Sequence, residues 1–232
     1  MRMECKVVNL RPVIKKICNS STLASLIINH ALTIFSNNDF KIQKGNLLKK
    51  SNSRWLKTKV EIKGTNNRII IEENVRFNRC SFFICGDNNV IEVGRDCNLT
   101  GCNFWIEDNN NKIILHEKIS VSGETQLASI EGCKIIIGKD CMISSDIVVR
   151  TGDSHSIINQ GLRINPSKDV IIEEHCWIGS KSIINKGTII PKHCIVGSGS
   201  VVTKPFDESN SIIAGNPARI IKRNIDWIRD RI

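Results

Sequence analysis

Apolar residues return every six positions across VIIEEHCWIGSKSIINKGTIIPKHCIVGSGSVV, residues 170–202. The anchors are Ile172, Ile178, Ile184, Ile190, Val196 and Val202. Four positions after each of the first five comes a small or compact residue: Cys176, Ser182, Thr188, Cys194 and Ser200. An α-helix repeats every 3.6 residues and a half-buried strand every 2. A beat of six suits a parallel β-helix, in which each hexapeptide forms one flat side and its corner. The pattern predicts an all-β solenoid that buries one apolar strip against the next, coil on coil.

A longer repeat precedes the hexapeptides. GTNNRIII ends at Ile71, GDNNVIEV at Val93, DNNNKIIL at Leu115 and EGCKIII at Ile137, each 22 residues after the last. Ile69, Ile91, Ile113 and Ile135 align, as do Phe77, Leu99, Val121 and Ile143. Eighteen of those 22 residues make three hexapeptide sides and leave about four for a wider corner. Asn67, Asn89 and Asn110 recur before the strand, where Asn takes a left-handed backbone or caps a turn. From Ile172 onward the coil shortens to 18 residues, as the spacing from Ile172 to Ile190 shows. Between Ile137 and Ile172 the gap is 35 residues, 13 more than one long coil. The surplus falls at about Thr151–Asp169, a polar stretch with Gly152, Gly161 and Pro166. It predicts a loop leaving a rigid scaffold, where function tends to be carried.

The two ends read differently. Residues 11–35 carry Pro12, Val13, Ile14, Ile17, Leu23, Leu26 and Ile27, which predicts one or two helices broken near Asn19–Ser21. Residues 36–60 form a basic, poorly periodic connector with Trp55 as a packing anchor. After Pro205 the repeat fades, and Pro217 and Ala218 open a predicted C-terminal helix, ARIIKRNIDWIRDRI. Elements at both ends would cover the open β-edges. The expected organisation is a helical and basic extension at 1–60, a β-helix at 61–204 with its loop at about 151–169, and a tail and helix at 205–232.

Composition narrows the partners. Net charge is +10 and the pI about 9.2, which favours anionic partners such as phosphates, acidic sugars, nucleic acid or acidic lipid. Basic residues are scattered and no aromatic-rich binding motif occurs, so nucleic acid is not expected. The chain has ten cysteines but no CxxC pair and no visible signal peptide. Cys97, Cys141, Cys176 and Cys194 occupy repeat positions that take small buried residues, and read as reduced core thiols of a cytoplasmic protein. The most apolar early stretch, Leu23 to Phe35, is too short and polar to span a bilayer.

The segment CWIGSKSIINKGTIIPKHCIVGSGSVVTKPF, followed by IIAGNPARIIK, resembles the left-handed β-helix hexapeptide-repeat acyltransferases. The resemblance covers about residues 60–222, and its WIGS, GSGSVVTK and AGNPAR elements come in the family's order. Left-handed coiling is implied by it alone, because ordinary parallel crossovers are right-handed. The long amino-terminal extension and the RTGDSH segment look most like bacterial capsule, exopolysaccharide and lipopolysaccharide O-acetyltransferases, the polysialic acid O-acetyltransferases among them. The resemblance implies a homotrimer with acetyl-CoA bound in a groove between neighbouring coils. It also implies an acidic or neutral glycan acceptor, and a cytoplasmic enzyme that can work beside a membrane glycan-assembly complex.

His155 is the catalytic candidate. Moving an acetyl group from a thioester to a hydroxyl requires that hydroxyl to lose its proton as it attacks, and imidazole titrates near neutrality. In the resembled family a His on the loop before the WIG coil does this, and His155 precedes Trp177 by 22 residues. Asp153 either orients that ring or closes an Asx-turn. Arg150 opens the same segment and either meets an acidic acceptor or serves the surface. Trp177 either lies beside the thioester or packs a corner. Motif position puts the family's cofactor contacts on Trp177, Ser180, Gly197, Ser198, Thr203, Lys204, Arg219 and Lys222. Small residues leave room for pantetheine, and the basic ones would face phosphates. Ser198 stands where many relatives have Ala, and Lys222 where some have Arg.

His175 and His193 lie 18 residues apart and so stack on adjacent coils. Catalytic zinc needs three ligands and an open position. No third histidine is at hand unless His155 supplies it, so no metal is expected. Two other readings stay open. One is an acetyltransferase of a small acceptor, such as a sugar, a nucleotide-linked amino sugar or an antibiotic, through oxygen or nitrogen. The other is a metal-binding or non-catalytic solenoid.

Overall fold

The computed structural model describes residues 22–232 and shows a three-sided parallel β-solenoid. Successive strands go to the first, second and third face in turn, giving sheets of eight, seven and nine strands. Register follows the repeat. On the second face Arg68 stands beside Val90, Val90 beside Lys112 and Lys112 beside Lys134. Ile171 then stands beside Ile189, one short coil on.

The extra residues of the long coils are not gathered in one corner, as the repeat length suggested. A long coil buries Cys102, Phe104 and Ile106 on the first face and Asn111, Ile113 and Leu115 on the second. A short coil buries only Ser182 and Ile184, then Thr188 and Ile190. The third face buries two residues in both, Ile119 and Val121 or Cys194 and Val196. Two faces are therefore widened by one inward position each. The wider interior takes larger side chains: Trp55 lies 4.5 Å from Phe77, and Phe82 stacks on Phe104 at 4.4 Å. Dense interiors need such filling, because a void forfeits dispersion contacts outright.

One corner is built on asparagines. Asn67, Asn89 and Asn111 are fully buried, and the Asn89 and Asn111 amides each donate to the side-chain oxygen of the Asn one coil before, at 2.9 and 2.8 Å. Asn111, not Asn110, is the third member; Asn110 is exposed with φ of 63°. Gly86, at φ of 134°, admits no side chain here, because a Cβ would lie 2.0 Å from the Asp108 carbonyl oxygen.

The solenoid starts earlier and ends later than its apolar pattern. Strands Asp39–Ile42 and Leu47–Lys50 already pair with the next coil, ahead of residue 61. Among the described residues no coil covers their other side, and they are mostly exposed and carry lysines, so the periodic signal is diluted. The helix Thr22–Ile34 covers the start, with the Trp55 amide donating to Thr33 Oγ1 at 3.1 Å. Residues 11–21 of the expected helical stretch lie outside the described residues.

No C-terminal helix forms. Ala218–Lys222 is a strand antiparallel to Ile212–Gly215, and the chain then runs irregularly to bury Trp227. The open edge of Ile212–Gly215 offers backbone partners, and β-branched Ile220 and Ile221 suit a strand. The eight described cysteines are free, and six are buried. Burial pushes the Cys97 thiol up to about 12, so it behaves as an inert core group.

Candidate active site

Just after the third-face strands, small residues stack from coil to coil. Gly123 sits under Ser145, Ser145 under Ser180, and Gly197 under Ala214. A Cβ on Gly197 would lie 2.9 Å from that of Ala214, and one on Gly179 would lie 2.6 Å from the Ser198 amide. The coils approach too closely for bulk, and the result is a shallow shelf. Trp177 stands at its rim with 36% of its surface exposed, and its indole donates to Ser144 Oγ at 3.2 Å. Ser180 and Ser198 lie on the shelf itself. Arg219 is exposed on the closing hairpin, opposite Ala214, and Lys222 is exposed further along the same strand. Thr203 and Lys204 are exposed beyond the strand Val201–Val202, with Lys204 5.6 Å over the Phe206 ring.

The 151–169 segment leaves at a different edge, between first-face strand Ile147–Arg150 and second-face strand Val170–Ile172. It holds a small hairpin, Ile158–Asn159 with Leu162–Arg163, turned at Gln160 and Gly161, which both have positive φ. Ile157, Ile158, Leu162 and Ile164 are each more than half exposed. The segment is ordered from inside by Asn165, a residue that no sequence pattern flagged. Its amide donates to Asp153 Oδ2 at 2.7 Å and to the His155 carbonyl at 2.8 Å. Its side-chain oxygen accepts from the Ile157 amide at 2.7 Å. Lys186, one coil over, donates to the same Asp153 oxygen and to the Asn165 carbonyl.

His155 is exposed, and among the described residues its ring has no hydrogen-bond partner. Asp153 does not bond that ring. Its carboxyl is held below its ordinary range first by the hydrogen bond from Lys186 and then by that from Asn165. Arg150 donates to Ser154 Oγ at 3.1 Å, and its Nε is buried without a partner.

The sequence candidates therefore form two groups. Trp177, Ser180, Gly197, Ser198 and Arg219 gather along the edge between third and first faces. Arg150, Asp153 and His155 gather on the edge between first and second faces, the edge to which Thr203 and Lys204 also belong. No contact joins the groups within one chain. His175 and His193 sit on neighbouring coils of the third face, with ring centroids 4.9 Å apart. Among the described residues no helix is long and apolar enough to cross a membrane.

Residues 169–204 match the hexapeptide repeat of succinyl-transferase. The chain is 52% identical over 99 residues to a polysialic acid O-acetyltransferase of Escherichia coli O1:K1 / APEC, covering 42% of this chain and 32% of that protein. It is 48% identical over 109 residues to a polysialic acid O-acetyltransferase of Neisseria meningitidis, covering 46% and 51%. These matches span about a third and about half of the length of those two curated relatives. The crystal structure of the polysialic acid O-acetyltransferase OatWY matches with a TM-score of 0.74 at 33% identity, covering 84% of this chain and 90% of that one.

Proposed function

We propose, from the premise that this chain belongs to the polysialic acid O-acetyltransferase family of left-handed β-helix proteins, that it acetylates a hydroxyl of a bacterial surface polysaccharide using acetyl-CoA. The observation that carries this reading is the division of the candidate residues between two edges. One edge offers a bulk-free shelf flanked by Trp177 and Arg219, with Lys222 further along the same strand, suited to a thin thioester with phosphates at its far end. The other offers an unpaired imidazole on an ordered loop. A homotrimer would bring the loop of one copy against the shelf of the next, and the exposed apolar residues of the 158–163 hairpin would be covered there.

In that arrangement His155 removes the proton of the acceptor hydroxyl as its oxygen attacks the thioester carbonyl. The new C–O bond forms, the C–S bond breaks, and the imidazolium returns its proton to the departing sulfur. Trp177 would pack beside the thioester, and Arg150 would meet a carboxylate of the acceptor. Asp153 acts at one remove: with Lys186 and Asn165 it fixes the loop backbone and so the position of the imidazole. The basic balance and the free thiols fit an acidic acceptor and a reducing compartment.

The test is intersubunit complementation. His155→Ala and Trp177→Ala homo-oligomers should each lose activity, the former by roughly 10²- to 10⁴-fold. Mixed oligomers refolded or co-expressed from the two should regain a measurable fraction, because some edges then pair an intact loop with an intact shelf. Acetyl-CoA thiol release on polysialic acid, neutral polysaccharide and monomeric sugars identifies the acceptor. Retention of activity in His155→Ala would overturn the mechanism.

A further inference from the structure

The geometry points to a zinc-ion site, formed by His175, His193 and Asp226, that pins the C-terminal segment to the third face beside Trp177. The third donor that the two stacked histidines lacked in sequence is Asp226, not His155. It is delivered by the irregular segment that follows the closing hairpin. His175 Nε2 lies 3.5 Å from Asp226 Oδ1, and His193 Nδ1 lies 3.3 Å from the same oxygen. One ligand atom from each of the three residues falls within 4.8 Å of the others. A tetrahedral zinc ion with bonds of about 2.0–2.1 Å holds its ligand atoms roughly 3.4 Å apart.

Hydrogen-bond chemistry at the cluster demands a cation. Both nitrogens of His175 face acceptors: Nδ1 faces Asp140 Oδ2 at 2.7 Å, and Nε2 faces the Trp227 carbonyl oxygen at 2.9 Å with Asp226 beyond. A neutral imidazole donates through only one nitrogen. The remaining direction needs a second proton, or a metal ion on the Asp226 side of Nε2 with the Trp227 carbonyl turned aside, because the 2.9 Å gap to that carbonyl admits a proton and no zinc. Asp140 suits the metal, because a carboxylate on the far nitrogen of a ligating His fixes its tautomer and raises its basicity. Asp140 is itself held by Arg229, Nε to Oδ1 at 3.1 Å. His193 and Asp226 then complete a mixed imidazole and carboxylate set of the kind zinc prefers. The side chains are 21, 33 and 55% exposed, so an ion can reach them.

The site would act as a clasp. Trp227 stacks on His175 at 4.4 Å with planes 12° apart, and lies 6.2 Å from Trp177. An ion shared by two coils and Asp226 would hold that indole at the rim of the candidate shelf. The inference does not depend on the acetyl acceptor or on catalysis.

The experiment uses tag-free full chain stripped with EDTA and titrated with zinc sulfate by calorimetry, with bound metal counted by mass spectrometry. One zinc per chain is expected, with micromolar or tighter affinity. His193→Ala and Asp226→Asn should each weaken binding at least tenfold, and Asp140→Asn by about 10- to 100-fold. Asp226 is exposed, so its replacement leaves the core intact and guards against loss by misfolding. Zinc should also slow trypsin cleavage after Arg223 and Arg229 in the parent chain and not in Asp226→Asn. No saturable binding, or equal binding by the parent, His193→Ala and Asp226→Asn, would overturn the site and leave a protonated His175 as its occupant.

Discussion

Asn165 ties the catalytic-loop candidate together through side-chain hydrogen bonds to Asp153, His155 and Ile157, at 7% exposure. Replacing it with Ala leaves the partly buried Ile157 amide and His155 carbonyl without their partner, at a local cost of about 1 kcal/mol. The expected result is a large fall in kcat with little change in the apparent affinity for acetyl-CoA, measured by steady-state kinetics, since Asn165 touches the loop and not the shelf. Asp153 gives a second residue-scale expectation. Its folded pKa is depressed, so its stabilising effect is present above the ordinary carboxylate value of about 3.9 and is lost as pH falls through the folded value. Amide exchange across residues 153–167 should therefore rise relative to the rest of the molecule once the pH drops below about 4. Asp153→Asn should remove that acid dependence. His155 and Trp177 stand out in the sequence as candidates because the proposed chemistry needs scarce residue types beside a recognisable repeat. Asn165, Lys186 and Asp226 were not, because their partners lie far along the chain, Lys186 and Asp153 being 33 residues apart.

Among the elements, the asparagine corner ties each wide coil to the next. Asn89 donates from its backbone to Asn67 and from its side chain to the Asp108 carbonyl, and accepts from the Asn111 amide. Asn89→Ala should lower the urea midpoint by an amount equivalent to about 1–3 kcal/mol, while an exposed change such as Lys112→Ala should cost far less. Denaturant unfolding followed by far-ultraviolet circular dichroism separates the two, with Lys112→Ala on an exposed strand position as the control free of the strain that Ala would meet at the positive φ of Asn88. The hexapeptide and 22-residue beats revealed strand order and inward positions, because each coil repeats the same burial. They hid how the longer coil is accommodated, since a count of residues does not say which face receives them. The C-terminal strand was hidden for another reason. Ile220, Ile221, Ile225 and Trp227 mimic a helical stripe, and only the open edge at Ile212–Gly215 decides for a strand.

The whole molecule is a tapering prism, wide and aromatic at its start and narrow at the end that carries Trp177. The loop leaves where the long coils give way to the short ones, so the candidate base sits at that change of width and the shelf runs from it toward the narrow end. Every wide coil repeats the register of its neighbour, which makes the overall length adjustable in whole units. Deleting residues 68–89 would set Val90 where Arg68 stood and leave Asn67 directly beneath Asn111. The shortened chain should fold and keep its catalysis while losing about 4.8 Å of height. Deleting one residue more would turn every inward side chain of the joined strand outward. Kinship between chains of this type can thus outlast large differences in size: a lineage can gain or shed storeys by duplication or loss of a 22-residue unit, and its chemistry need not notice.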